Sequence, residues 1–280
     1  MPDPTPAVTS SSTTQPLGLL AGEGDFPVLI ARAASSHRVP VIAFGINNLT
    51  KPELSQFALR VHWVELGQFR RVVDLCRQEG IRKVTLAGRI KHSSIFQIFN
   101  FDAWSLRLLR GLKDRKADTI LQMVSDELAK EGIEVIDSTL FLKGLMPRKG
   151  LVTPGLAPGK EVTQDIEFGM RLARELARLD IGQTVVIKGK AVIAVEGMEG
   201  TDECIRRAGI LAGPGIVVCK SSKPRQDFRF DVPIVGLKTL QTLSDAKGAA
   251  LAFSAGETLL FNQDEVLILA KSARISIVAY

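Results

Sequence analysis

LGLLAGEGDFP, residues 17–27, decides the fold of the first half of this chain. An apolar run ends in Gly22, Gly24 permits a further tight bend, and Pro27 stands where a helix can begin, because its fixed φ and missing N–H suit a first turn. The stretch therefore reads as strand, turn and helix. Three more short apolar runs, VPVIAFG (39–45), VHWVEL (61–66) and KVTLAG (83–88), follow as strands. Between them Phe69, Val72, Val73 and Cys76 share one face of a 3.6-residue period, and DTILQMVSDELAKEG (118–132) carries further helix signals before a last strand, IEVID (133–137). Short buried strands alternating with helices require a mostly parallel sheet, so residues 17–145 are expected to form a Rossmann-like, doubly wound α/β domain.

The same turn begins like a dinucleotide fingerprint and then departs from it. The third glycine of GxGxxG falls at Pro27, and AFGIN (43–47) has no acidic residue at the end of the second strand, about 20 positions on. Asp25 can also cap the helix with its own carboxylate, competing for the N–H groups that a pyrophosphate would use. The glycines either serve the backbone angles of a tight turn or also line a ligand cleft. In open α/β sheets such a cleft lies at the carboxyl ends of the strands, where Gly22, Gly24, Gly45 and Gly88 fall.

MPRKGLVTPGLAPGK (146–160) has three prolines, three glycines and no periodicity, so 146–162 reads as a linker to a second α/β or α+β domain over 163–280. That half opens with a helix around Ile166, Met170, Ala173 and Leu176. TVVIKGKAVIAVEG (184–197) is two β-rich runs about Lys188, Gly189 and Lys190, a hairpin by its turn residues. A helix over 202–211, a strand at GIVVCK (215–220) and a final strand-helix-strand pattern follow.

The chain has 280 residues, 36 Lys+Arg and 30 Asp+Glu, a net charge of +6, with 45% hydrophobic and 24% charged residues. These are values of an ordinary globular protein of two-domain length. The excess of cations suits a polyphosphate or an anionic membrane surface; at 6% aromatics with no long basic run, nucleic acid is not expected as a partner. Cys76, Cys204 and Cys219 are far apart with no CxxC, which argues against a disulfide framework and a thiolate zinc site and fits a reducing cytoplasm. Residues 1–16, rich in Pro, Ser and Thr, read as a disordered tail, and no segment has the roughly 18 uninterrupted apolar residues of a membrane span.

The densest chemistry lies in KSSKPRQDFRFDVPIVG (220–236). Asp227, Arg229 and Asp231 alternate with Phe228, Phe230 and Val232, a period of two that predicts an amphipathic strand ended by Pro233. At about 3.3 Å per residue the two aspartates would stand about 13 Å apart, too far to share one ion unless the strand is kinked. Otherwise one aspartate serves a metal or an attacking water and the other pairs with Arg229. EGMEGTDE (196–203) offers Glu196, Glu199 and Asp202 as further acids, and Lys220, Lys223 and Arg225 offer the positive field that a diphosphate needs. The plain alternative is an edge strand whose charges form surface ion pairs.

GEGDFP (22–27), DIGQTVVIKGKAVIAVEGMEGTDECIRR (180–207) and KSSKPRQDFRFDVPIVG, in that order and spacing, resemble the UDP-2,3-diacylglucosamine pyrophosphatases of the LpxI type over all but the N-terminal tail. The resemblance implies two α/β domains, and Mg²⁺-dependent hydrolysis of the pyrophosphate to UMP and lipid X in lipid A synthesis. It places the essential aspartate on Asp231, also the candidate metal ligand, with Asp227 and Gln226 beside it. It implies that Gly22, Gly24, Gln183, Glu199, Gly200, Thr201 and Asp202 line the substrate site; Gly88, by its place at a strand end, and Lys220, Lys223 and Arg229, by their charge, are expected there as well. AGRIKHSS (87–94) lacks the Arg-Pro that some relatives carry there, which leaves Lys91 and His92 without a family role.

A diacylated substrate also needs apolar surface. IFQIFNFDAWSLRLLRGLK (95–113) sets Phe96, Phe99, Phe101 and Trp104 beside Arg107, Arg110 and Lys113, either to meet acyl chains and the inner-membrane surface or as a plain core helix. A cleft between the domains is the expected lipid groove, and a homodimer is the expected assembly. Two other functions stay open at this stage: a nucleotide-dependent oxidoreductase, and a noncatalytic carrier of nucleotide or lipid.

Overall fold

The structure is a computed structural model describing residues 15–89 and 117–280. The segment 95–113, Lys91 and His92, and the tail up to residue 14 lie outside the described residues. The chain divides into two compact units, Met1–Phe141 and Leu142–Tyr280.

The first unit holds β1 (Leu17–Ala21), α1 (Phe26–Ser36), β2 (Val41–Ile46), β3 (Arg60–Val64), α2 (Phe69–Gln78), β4 (Lys83–Ala87), α3 (Ala117–Lys130) and β5 (Glu134–Val135). All five strands run parallel in the order β3-β2-β1-β4-β5. β1 is central, with Leu17 opposite both Val41 and Lys83 and Ala21 opposite both Gly45 and Ala87. A strand bonded on both edges needs apolar side chains on both faces, hence the continuous run LGLLA in place of an alternating one. Pro27 lies in the first turn of α1, and Val72, Val73 and Cys76 are the buried face of α2.

The second unit holds β6 (Gly150–Leu151), α4 (Lys160–Arg178), β7 (Thr184–Lys188), β8 (Ala191–Val195), α5 (Thr201–Ala212), β9 (Val217–Lys220), β10 (Ile234–Val235), α6 (Leu237–Asp245), β11 (Ala250–Phe253), β12 (Leu259–Leu260), α7 (Gln263–Ala273) and β13 (Ser276–Ala279). Six strands form a mixed sheet, β6-β13-β11-β9-β7-β8, in which β9, β11 and β13 are parallel and β6, β7 and β8 antiparallel to their neighbours. The stretch 146–162 contributes β6 and the first residues of α4 to this unit.

Alternate residues divide the core into two layers. Val185, Ile187, Val217 and Cys219 pack under Ile166, Met170 and Ala173 of α4, while Val186, Val218, Leu251 and Phe253 face Ile205, Leu240 and Val266 of α5, α6 and α7. Gly169 lets α4 approach: a Cβ there would stand 2.5 Å from Cys219 Sγ. Burial pushes the Cys76 and Cys204 thiols up to about 12, so both behave as small apolar residues.

The hairpin turns at Gly189 and Lys190, both with φ of +58°, the left-handed pair that a two-residue turn between twisted strands requires. The buried Asp165 of α4 accepts both of their N–H groups, at 2.8 and 2.6 Å. In contrast, the strand expected over 227–232 does not form. The Asp227 carbonyl accepts the N–H groups of Phe230 and Asp231, both at 3.0 Å, closing a helical-type turn. The Asp227 side chain accepts the Arg229 N–H at 3.1 Å, a local bond that competes with any ladder. With Pro233 just beyond, six residues of alternation were too few to hold a strand.

In the first unit the chain after β1 meets the chain after β4. Gly22 N–H bonds to the Ala87 carbonyl at 2.7 Å, and Glu23 and Arg89 exchange bonds of 2.9 and 3.0 Å. A Cβ on Gly88, where φ is +90°, would lie 2.8 Å from the Glu23 carbonyl oxygen. Gly88→Ala should therefore lose about 1–3 kcal/mol in urea unfolding, whereas Gly144→Ala, with nothing near its Cβ, should stay within about 0.5 kcal/mol.

Candidate active site

β7 and β9 are antiparallel, with Thr184 opposite Lys220, so the start of β7 meets the end of β9. Glu196 emerges there from β8, and α5 begins beside it behind Gly200, whose φ of +84° turns the chain into the helix. Among the described residues no side chain caps α5, whose first N–H groups can therefore serve other acceptors.

One run of hydrogen bonds joins these pieces. Lys220 Nζ donates to Thr201 Oγ1 at 3.1 Å and to the Ile234 carbonyl at 3.3 Å. Thr201 Oγ1 donates to Glu196 Oε1 at 2.9 Å, and Glu196 Oε2 accepts the Gln183 N–H at 3.4 Å. Gln183 Nε2 reaches Asp231 Oδ2 at 3.4 Å, and Gln226 Nε2 donates to the same oxygen at 3.0 Å and to the Asp231 carbonyl at 2.9 Å. The Gln226 amide is oriented by the Lys223 N–H, which donates to its Oε1 at 2.9 Å.

Asp231 thus has one oxygen held by two amides, and among the described residues nothing bonds to the other. Lys220 is partly buried, and that burial lowers the pKa of its ammonium, opposed by the charges of Glu196, Asp231 and Asp202. The arrangement presents a half-free carboxylate, a desolvated cation and a bare helix N-terminus together. These are the elements that orient a water and neutralise phosphoryl charge.

The other expected residues lie outside this run of bonds and have partners of their own. Asp227 accepts Arg229 Nε at 3.0 and 3.2 Å and Nη2 at 2.7 Å, which takes its carboxylate below the usual range; Arg229 also lies 4.6 Å over the Phe230 ring. Of the two aspartates, Asp227 is the one paired. Glu199 accepts its own N–H and bonds to Arg207 at 2.8 Å, and both hold its carboxyl low. Asp202 accepts Thr239 Oγ1 at 3.0 Å and Lys238 at 2.9 Å, linking α5 to α6. Lys223 reaches Asp180 at 2.8 Å.

Beyond those expectations, Glu196 is the acid of 196–203 that enters the run. Past β9, Ser222 Oγ donates to Glu257, and its N–H donates to Ser254 Oγ at 3.2 Å, tying the ends of β9 and β11 together. The paired serines after Lys220 were a visible signal for this; Glu257, 35 residues on, had none.

In the first unit, Gly22 and Gly88 are explained by packing and Gly24 by its φ of +106°. Asp25 does not cap α1; its carboxylate meets Lys51 instead. The bonds between Glu23 and Arg89 span the ends of β1 and β4, where a doubly wound sheet would open for a dinucleotide pyrophosphate.

Residues 16–145 match the LpxI N-terminal domain and residues 149–278 the LpxI C-terminal domain. The chain is 31% identical over 262 residues to the UDP-2,3-diacylglucosamine pyrophosphatase LpxI of Caulobacter vibrioides, covering 90% of this chain and 92% of that one. The chain belongs to the LpxI family. Among solved structures it resembles the biotin carboxylase domain of a thermophilic 2-oxoglutarate carboxylase at 12% identity, covering 71% of this chain but 33% of that one, with a TM-score of 0.28. The multifunctional pyruvate carboxylase of Rhizobium etli gives 12% identity, coverage of 61% and 13%, and a TM-score of 0.27. Overlaps at such scores do not define a shared arrangement. The LpxI assignment rests on sequence along both units.

No group of three or more His, Cys, Asp or Glu among the described residues could hold a metal alone. Mg²⁺ bound through substrate phosphates needs only one or two carboxylates, and Asp231, oriented through one oxygen, suits that mode.

The Asp227–Arg229 pair contributes to stability above the usual aspartate value of 3.8 and loses that contribution as pH falls through the lower folded value. The pair is more than a third exposed, so Asp227→Asn should cost no more than about 1 kcal/mol at pH 7. In urea titrations between pH 7 and 3 its deficit should shrink below that value.

Proposed function

We propose that this LpxI-family chain hydrolyses the pyrophosphate of UDP-2,3-diacylglucosamine, releasing UMP and 2,3-diacylglucosamine 1-phosphate (lipid X) for lipid A synthesis. The observation that carries the reading is the single hydrogen-bonded run joining Lys220 to Asp231, with the uncapped start of α5 beside it. The curated relative's activity supplies the substrate. The strand order of the first unit, with its central β1, supports reading that unit as Rossmann-like.

Water attacks one phosphorus of the bridging anhydride. The free oxygen of Asp231 orients that water and accepts its proton, while the amides of Gln183 and Gln226 hold the carboxylate in place. Lys220 and the first N–H groups of α5, including that of Thr201, neutralise charge as the bond to the bridging oxygen breaks and the leaving phosphate departs. Mg²⁺, held by Asp231 and the substrate phosphates, would supply further charge neutralisation. Glu196 keeps the Thr201 hydroxyl turned so that it accepts from Lys220. Gly200, Lys223, Asp202, Glu199, Asp227 and Arg229 shape the walls around these groups.

Purified protein incubated with UDP-2,3-diacylglucosamine and Mg²⁺ should release UMP, and chelation with EDTA should stop it; absence of UMP at every metal concentration would leave a carrier. Asp231→Ala should lower turnover by about 10²–10⁴-fold with an unchanged urea midpoint. Lys220→Met should lower kcat by about 10²–10³-fold. Near-normal UMP release by Asp231→Ala would refute the assignment.

A further inference from the structure

Three loops meet around the Gln183–Asp231 contact, and each leaves something at its tip that the site does not use. The loop from α4 to β7 carries Leu179 at 57% and Ile181 at 53% exposure. The loop from β8 to α5 carries Met198, fully exposed between two glycines. The loop after β9 carries Arg225, exposed and without a carboxylate partner among the described residues.

The loops are held side by side. Gly182 lies so close to Glu196 that a Cβ on it would fall 2.1 Å from the Glu196 carbonyl oxygen, and Lys223 bonds to Asp180 between the two apolar residues. The carboxylates along this rim are matched by cations: Asp180 by Lys223, Glu199 by Arg207, Glu175 by Arg178. What is left facing outward is apolar bulk and the positive charge of Arg225.

Large apolar side chains scattered singly over a surface need no explanation, but three on adjoining loops around a polar site do. A diacylated substrate resides in a bilayer, and among the described residues no helix is long and apolar enough to cross one. We propose that Leu179, Ile181 and Met198 dip into the interface of an anionic bilayer, with Arg225 against its headgroups, so that the mouth of the Asp231 site faces the membrane that holds the substrate. This rests on the reading of the substrate as a lipid. Shallow insertion of apolar loop tips beside a cation is the combination by which proteins without a span bind anionic lipid surfaces, and neutralised carboxylates remove the repulsion that would oppose it.

The test is co-sedimentation of the purified chain with substrate-free vesicles of phosphatidylethanolamine and phosphatidylglycerol, wild type against the triple variant Leu179→Ser, Ile181→Ser, Met198→Ser. Binding should fall about tenfold or more. UMP release from substrate carried in those vesicles should fall with it, while release from detergent-dispersed substrate stays at the wild-type rate. Undiminished vesicle binding overturns the proposal. An equal loss on dispersed substrate also overturns it, because the three residues would then touch the substrate or support the fold. A shift to smaller assemblies in gel filtration with vesicle binding retained overturns it in favour of a second copy on this rim. Should the triple variant not fold, Met198→Ser and Ile181→Ser alone should each lower vesicle binding about twofold, and no change in either sinks the idea. Substrate-free binding is read without turnover, so failure of the hydrolase reading would show separately, as wild type releasing no UMP from dispersed substrate.

Discussion

An ammonium at the end of a strand, partly withdrawn from water, must be surrounded by acceptors, and much of the second unit is arranged to satisfy Lys220. β9 is bonded on both sides, by β11 and by the start of β7, so the residue that ends it cannot turn freely into solvent. The Thr201 hydroxyl and the Ile234 carbonyl accept its hydrogen bonds, and Glu196, Asp231 and Asp202 supply the opposing charge. Elements distant in sequence, the hairpin, α5 and the loop before β10, converge on one cation. That convergence makes an anion site from residues that separately are ordinary.

The position of Asp231 follows from backbone chemistry. A strand over 227–232 would have carried Asp227 and Asp231 on one face and well apart. The turn closed on the Asp227 carbonyl brings the two residues near each other, yet gives them different tasks. Asp227 is occupied by the Arg229 guanidinium, so it does not compete for whatever Asp231 binds. Gln226, oriented by Lys223 N–H, then fixes Asp231 from the same short loop. A carboxylate held by neutral amides on one side and open on the other has a fixed direction.

The first unit shows the opposite economy. Its central strand ends in glycines of the kind that elsewhere admit a pyrophosphate, but here the two chain segments beyond β1 and β4 bond directly to each other. Gly22 and Gly88 are small because backbone lies against backbone, and Lys51 takes the carboxylate that might have capped α1. The same residue type in the same place of the fold serves closure.

Periodicity and turn chemistry are local, and what depended on them was legible in the chain: the five strands of the first unit, the helix of Val72, Val73 and Cys76, the hairpin at Gly189 and Lys190, and the ordered motifs that mark the family. The failed strand at 227–232 was legible only in its polarity, because a side-chain acceptor at Asp227 and a proline at 233 outweigh six residues of alternation. Nor could the chain alone choose among Glu196, Glu199 and Asp202. All three sit within seven residues, and their roles depend on which cation the folded neighbours place nearby: Arg207 for Glu199, Lys238 for Asp202, and for Glu196 a hydroxyl already bonded to Lys220. Residue types and local conformation come from chemistry within a few bonds along the chain, whereas the partners of Lys220, Asp202 and Asp231 are settled by packing between elements far apart along it.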